Sequence, residues 1–180
     1  MIADRWADAP DFRVWLESVV RHRAVWLAVV ARTTIADDLA ARARALVGPR
    51  HLLVLTEDWC GDAIAAVPVL AALAACAPAL PLRCLGRDRN ADLMDGHLTD
   101  GQRSIPKLIV YDEAFVERGS WGPRPAELQA WYLDVGHALP SAARYEHIHA
   151  WHAQDGGRRI VTEVLDMIEP GATRAAPTPS

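Results

Sequence analysis

The sequence predicts an α/β domain, with a central mixed β-sheet flanked by helices, and three observations favour this class. Residues 52–55, Leu-Leu-Val-Leu, form an apolar run that is typical of a strand buried on both faces. An Ala-, Val- and Leu-rich stretch begins at residue 63 and is long enough for about four helical turns. A second apolar run at 82–85 completes a strand–helix–strand unit, for which a right-handed crossover is expected.

Two helices are predicted before the first strand. Within residues 11–32, apolar side chains recur at near-helical spacing while charged side chains take the other side. The apolar positions are Phe12, Trp15, Val19, Trp26 and Val30. A second helix is predicted over residues 36–47, ended by the Gly-Pro pair at 48–49. We expect this N-terminal helical hairpin to pack on the sheet.

A hairpin and further helices are predicted after the second strand. The hairpin consists of antiparallel strands at 107–111 and 115–121 around a turn at 112–114. The helices are predicted at residues 90–98, 125–131, 142–154 and 157–168. Residues 171–180, rich in Ala, Pro and Thr, are predicted to be disordered.

The composition excludes several classes of function. The formal net charge is −4 and about half of the residues are apolar, so a soluble globular protein is expected, with no nucleic-acid footprint. No apolar run approaches the ~18 residues of a membrane span. The first residues lack a basic start followed by an apolar core, so we expect no signal peptide and a cytoplasmic location. We expect no cofactor, and the sequence leaves the oligomeric state open.

Three cysteines, Cys60, Cys76 and Cys84, are too few and too scattered for a disulfide scaffold. Cys60 and Cys76 lie at opposite ends of one predicted helix, about 24 Å apart, so they cannot form a bridge. Cys76 is therefore expected to be an inert core thiol. Cys84 ends the second strand at the sheet edge that presents Cys60. We expect it to be buried, with a Cys60–Cys84 disulfide as the alternative.

The residues around Cys60 resemble those of the thioredoxin superfamily. Trp59-Cys60-Gly61 follows a buried strand, and Pro68 lies eight residues beyond the cysteine. Ile105-Pro106, then a strand pair ending at Gly122, follow in the order and spacing of that superfamily. The resemblance covers residues 50–131. It implies a thioredoxin-like fold, in which the peptide bond before Pro106 is cis and faces the cysteine.

Within that superfamily, residues 56–62, Thr-Glu-Asp-Trp-Cys-Gly-Asp, resemble a mostly uncharacterised bacterial thioredoxin-like family. Asp62-Ala63 stands where thioredoxins have Pro-Cys, so the second motif cysteine is missing. Val54 stands where thioredoxins bury an aspartate.

The resemblance also implies a division of the chain into four parts. We expect an N-terminal extension at 1–49, a thioredoxin-like core at 50–135, C-terminal helices at 136–170 and the tail at 171–180.

Cys60 is the candidate nucleophile, because a thiol near the positive end of a helix dipole is more readily ionised. Glu57, Asp58 and Asp62 oppose this effect, since nearby negative charge raises the pKa of a thiol. We expect the three carboxylates to hold the pKa of Cys60 above that of a cysteine helped by a helix dipole alone. Arg103 or Lys107 would have to offset this charge for an anionic thiol such as glutathione to bind.

A lone cysteine favours a monothiol mechanism, because only a dithiol can resolve its own mixed disulfide. We therefore expect single-cysteine thiol–disulfide exchange with protein or small-molecule thiols and disulfides. The sequence leaves open whether the chain is an enzyme, a thiol–disulfide oxidoreductase of the monothiol type. Trp59 is expected to cover Cys60. Gly61, Ile105 and Pro106 are expected to shape a slot for a substrate backbone. The alternative is a non-catalytic binding or scaffold domain that holds a peptide in the same slot.

A histidine-rich segment at 146–152 raises the question of a metal site. On a helix only His149 and His152 share a face, at positions i and i+3. Two histidines without a third assigned ligand do not make a zinc site. We therefore expect a solvated helix face and no metal.

Overall fold

A four-stranded mixed sheet lies at the centre of the protein, whose computed structural model describes residues 1–169. The strands are β1 (His51–Thr56), β2 (Leu82–Gly86), β3 (Lys107–Tyr111) and β4 (Glu117–Trp121). They are arranged in the order β2-β1-β3-β4, with β1 and β2 parallel and the other pairs antiparallel. The predicted class, a mixed sheet flanked by helices, is confirmed. The tail predicted to be disordered, 171–180, lies outside the described residues.

Helices precede, connect and follow these strands. Before the sheet come α1 (Ile2–Asp8), α2 (Phe12–Glu17), α3 (Arg23–Arg32) and α4 (Asp37–Arg44). Between strands lie α5 (Gly61–Cys76) and α6 (Ala91–Asp95). After the sheet come α7 (Ala126–Asp134), a 3-10 helix (Gly136–Ala138), α8 (Ser141–Asp155) and α9 (Arg158–Ile168).

The single helix predicted over residues 11–32 is wrong, because the structure has two helices, α2 and α3, in its place. The chain turns between them, with His22 in the left-handed region at φ 56°. The Asp58 carboxylate accepts hydrogen bonds from the backbone N–H groups of Val20 and Arg21, at 3.0 and 2.8 Å. These N–H groups are thus satisfied without a continuous helix. A contact from a distant part of the chain therefore overrides the local helical pattern.

Strand β1 is buried on both faces of the sheet, as its apolar run predicted. Successive strand residues point to opposite faces. Leu52 and Val54 pack in a cluster with α3, α4, α5 and α9, whereas Leu53 and Leu55 pack in a second cluster with residues of α1 and α6. All four side chains are fully buried. Within the described residues, no helix combines the length and apolarity needed to cross a membrane.

The outer edge of β2 is partly covered by the N-terminal segment. The Cys84 N–H donates to the Pro10 carbonyl at 2.9 Å, and Asp11 forms an isolated antiparallel bridge with Arg83. This pairing removes part of an exposed strand edge, which would otherwise invite pairing with another chain. The opposite edge, β4, is short and carries Glu117 and Arg118, which also discourages such pairing.

Candidate functional site

Cys60 lies at the junction of β1 and α5, where it is the N-cap residue of the helix. Its carbonyl accepts the first helical hydrogen bond from the Ile64 N–H, at 3.0 Å. Its thiol donates to the Ile105 carbonyl oxygen at an Sγ–O distance of 3.4 Å. The Ile105–Pro106 peptide bond is cis. The structure therefore brings the cysteine and the Ile-Pro turn together across 45 residues of chain.

Burial is the main influence on the Cys60 thiol and raises its pKa to about 11. The Asp62 carboxylate raises the pKa further by charge repulsion. Hydrogen bonds from the Ala63 and Asp62 backbone N–H groups and the positive charge of Arg124 act in the opposite direction. Because burial and repulsion outweigh these effects, the thiol is protonated at neutral pH.

The three carboxylates that the sequence grouped around Cys60 contact different parts of the fold. Glu57 accepts a hydrogen bond from the Asp88 N–H at 3.0 Å, next to the end of β2. Asp58 binds the turn between α2 and α3, and its carbonyl accepts a hydrogen bond from Trp26 Nε1 at 2.9 Å. Of the three, only Asp62 contributes to the raised pKa of the thiol. The expected effect of Glu57 and Asp58 is therefore not found.

Asp62 forms a buried, two-pronged ion pair with Arg124. The Oδ2–Nη2 distance is 2.5 Å and the Oδ1–Nε distance is 2.9 Å. The two side chains are only 8% and 10% exposed. Arg124 also donates to Gln129 Oε1 at 3.0 Å, and its guanidinium lies 4.0 Å from the centre of the Tyr132 ring. Sequence reasoning missed Arg124, since nothing local links it to a residue 62 positions earlier.

The two cations proposed to offset the acidic surroundings are engaged elsewhere. Arg103 forms a two-pronged ion pair with Asp95, at 2.6 and 2.7 Å. Lys107 is buried and donates to the Thr99 hydroxyl and, at 3.1 Å, to the Gly122 carbonyl. Burial lowers the pKa of Lys107. Arg124 is instead the cation that acts on the Cys60 thiol.

The other two cysteines lie away from a pairing position. Cys84 is fully buried opposite Val54, and all three cysteines are free thiols. Burial raises the pKa of Cys84 far above its usual range. Cys76 ends α5 and is half-buried, so the expectation that it is a core thiol is wrong. It falls at the helix end, where the chain leaves the core.

Trp59, which was expected to cover Cys60, is itself 39% exposed. The guanidinium of Arg87 lies 5.1 Å from the centre of its ring, within the range of a cation–π interaction. Gly61 is closely approached by Tyr145, since a Cβ on Gly61 would lie 3.5 Å from Tyr145 Cε1. Helix α8 therefore reaches the Cys60 segment, which the sequence did not indicate.

A groove of about 1040 Å³ begins beside Trp59 and Gly61 and is lined by α3, α5 and α8. His149 and His152 both line it. His152 is largely buried and neither ring nitrogen has a hydrogen-bond partner within residues 1–169, while burial lowers its pKa to about 4. In the part of the chain that the structure describes, no cluster of three or more ligand-type side chains could hold a metal ion.

Comparisons with known proteins agree with this architecture. A family model described as Thioredoxin matches residues 9–143. The chain is similar to the crystal structure of a protein of unknown function from Pseudomonas aeruginosa, with 24% identity and a TM-score of 0.72 over 95% of this chain and 98% of that one. It is also similar to an HIV epitope scaffold, with 22% identity and a TM-score of 0.71 over 92% and 96%. No curated protein sequence matches the chain.

Proposed function

Because the chain belongs to the thioredoxin family, we propose that it carries out monothiol thiol–disulfide exchange through Cys60. The observation that carries this proposal is the placement of the Cys60 thiol. It lies at the N-terminus of α5, 3.4 Å from the Ile105 carbonyl oxygen. Protein and small-molecule thiols and disulfides are the proposed partners, and the cytoplasm is the proposed location.

The proposed cycle has two exchange steps. In the first, the Cys60 thiolate attacks one sulfur of a disulfide R–S–S–R′, forms Cys60–S–S–R and releases R′S⁻. In the second, an external thiolate R″S⁻ attacks the R sulfur, forms R–S–S–R″ and releases the Cys60 thiolate. The net reaction exchanges one thiol for another without a separate oxidant or reductant.

The raised pKa of Cys60 determines how fast this cycle runs. With a pKa of about 11, only about one thiol in a thousand is ionised at pH 8. Attack on a disulfide is correspondingly slow, although the rare thiolate is intrinsically strongly nucleophilic. Cys60 is also a poor leaving group, so a mixed disulfide on this residue is expected to persist until an external thiol removes it.

A non-catalytic binding domain is the second candidate function. The observation that favours it is the hydrogen bond from the Cys60 thiol to the Ile105 carbonyl, at 3.4 Å. Burial raises the pKa of this thiol, which favours its protonated, hydrogen-bonded form. Such a domain would hold an extended peptide against the Ile105-Pro106 turn through backbone hydrogen bonds.

Mixed-disulfide formation separates the two candidates. The half-buried Cys76 is first replaced by Ser, which leaves Cys60 as the most accessible thiol because Cys84 is fully buried. The protein is incubated with hydroxyethyl disulfide between pH 7 and 10 and analysed by intact mass and peptide mapping. We expect one adduct on Cys60, formed faster at higher pH and removed by added glutathione.

A Cys60→Ser variant in the same background is the matched control and should form no adduct. Absence of an adduct on Cys60 at pH 10, where the ionised fraction approaches one in ten, would rule out exchange. That result would leave the binding domain as the better interpretation.

A further inference from the structure

The groove beside Cys60 runs along α5 between α3 and α8. Trp59, Gly61, Val25 and Tyr145 lie at the end near the cysteine. At the other end, the α8–α9 connection approaches α5, because a Cβ on Gly157 would lie 2.8 Å from Val69 Cγ1. Gly61 and Val69 are eight residues apart in α5, so the groove is about 12 Å long.

The floor of the groove is apolar. Val25 and Val29 of α3 face Ile64, Ala65 and Val69 of α5 across it. Val25 is 49% exposed, so part of the apolar surface of the groove is in contact with solvent. Apolar surface of this kind favours a ligand with a hydrocarbon body, because binding removes that surface from water.

Within residues 1–169, the side chains that line the groove include a positively charged one, Arg32, and no negatively charged one. Among the described residues that line the groove none is acidic, although the chain carries 23 Asp and Glu residues and a net charge of −4. Arg32 lies at the end of α3, and the ion pairs formed within residues 1–169 do not include it. His22, His149 and His152 also line the groove. An anionic ligand at the Arg32 end therefore meets a positive charge, with no carboxylate among the described side chains that line the groove.

We propose that this groove binds small amphipathic carboxylates. The apolar body lies along α5, over Val29 and Ile64, and the carboxylate lies near Arg32 at the end away from the cysteine. The other end of the ligand then lies against Trp59 and Gly61, on either side of Cys60. Cys60 is not one of the residues that line the groove, so this inference stands independently of the proposed exchange.

Binding is tested on the full chain carrying Cys60→Ser, so that the measurement does not depend on thiol chemistry. The probe is 1-anilinonaphthalene-8-sulfonate, an aromatic anion whose fluorescence rises in apolar surroundings. Decanoate, decylamine and decanol compete for the site at fixed pH and ionic strength. We expect one saturable dye site, displaced by decanoate at a concentration at least about fivefold lower than by decylamine.

Two charge-reversal variants locate the carboxylate. Arg32→Glu should weaken decanoate binding about fivefold or more. Arg44→Glu makes the same change of net charge on an exposed residue outside the groove, and it should leave the affinity unchanged. Equal effects of the two variants, or equal displacement by decanoate and decylamine, would overturn the proposed charge selectivity.

A groove-filling variant tests the location itself. Ala65→Trp should abolish dye binding, with folding checked by near-ultraviolet circular dichroism. If that variant does not fold, Val25→Glu serves the same purpose, because Val25 lines the groove and is partly exposed. Unchanged dye binding in a folded variant overturns the assignment. Cys60 exchange with hydroxyethyl disulfide is measured separately, so loss of decanoate binding with intact exchange refutes this inference alone.

Discussion

Replacing Asp62 by Asn should make Cys60 more acidic, because the substitution removes the negative charge that repels the thiolate. A unit charge roughly 7 Å away, at an effective dielectric constant of about 20, contributes about 2.4 kcal/mol. Arg124 remains, and its positive charge already lowers the pKa of the thiol. We therefore expect the pKa of Cys60 to fall from about 11 to roughly 9–10.

The alkylation rate of Cys60 with iodoacetamide, measured against pH by peptide mass spectrometry, reports this change. At pH 8 the ionised fraction should rise by roughly thirtyfold. A less basic thiolate is also a weaker nucleophile, so the net rate should rise only about fivefold. The midpoint of the pH profile is therefore a clearer measure of the pKa than any single rate.

Two further variants test the cause of the change. Asp58→Asn makes the same change of charge four residues earlier, but its carboxylate binds the α2–α3 turn, so the Cys60 profile should not move. Arg124→Gln should shift the midpoint upward, since the lowering influence is lost. A midpoint that stays near 11 or rises in Asp62→Asn would refute the electrostatic reasoning. Because the ion pair is buried, Asp62→Asn should also cost about 3 kcal/mol of unfolding free energy.

Three more predictions concern the surrounding fold. Gly122→Ala should cost about 3 kcal/mol of unfolding free energy, measured with urea, because φ is +111° and a Cβ would overlap the Pro106 carbonyl. Gly101→Ala is the control and should cost far less, because a Cβ there meets nothing within 4 Å. Equal losses of unfolding free energy in the two variants would contradict the clash. Cys84→Ala should leave the formation and the lifetime of the Cys60 mixed disulfide unchanged, because Cys84 is fully buried. An adduct that persists longer in this variant would show that Cys84 resolves it and would restore a two-cysteine mechanism. Burial lowers the pKa of His152 to about 4, so the unfolded chain takes up this proton at a higher pH than the folded one. The free energy of unfolding in urea should therefore decrease as the pH falls from about 6.5 towards 4, and this decrease should be absent from His152→Leu. The same pH dependence in both proteins would contradict the prediction.

The sheet could be predicted from sequence because its signals are local. The uninterrupted apolar run Leu52-Leu53-Val54-Leu55 predicts burial on both faces, and the structure divides these four residues between two core clusters. The position of Cys60 at the start of a helix also followed from neighbouring residues. Such features depend on periodicity and on residues a few positions apart, which a single sequence contains.

The features that the sequence did not predict depend on contacts between distant residues. The break between α2 and α3 is stabilised by Asp58, which lies 38 residues beyond Val20 and 37 beyond Arg21. Asp62 and Arg124 are 62 residues apart in the chain, and nothing in the sequence around either residue indicates that the two form an ion pair. The pKa of Cys60 was expected to rise because of three carboxylates, whereas burial is the larger cause. Burial of a side chain at a strand–helix junction depends on the packing of the whole domain.

The surroundings of Cys60 also explain why the proposed mechanism needs an external thiol. Ala63 stands where a resolving cysteine would stand, and it is fully buried in the core cluster that contains Val54. Asp62, the residue before Ala63, is held in place by its ion pair with Arg124. A second nucleophile therefore has no route to a mixed disulfide from within the helix. In the proposed cycle, regeneration therefore comes from an external thiol that reaches the half-buried Cys60.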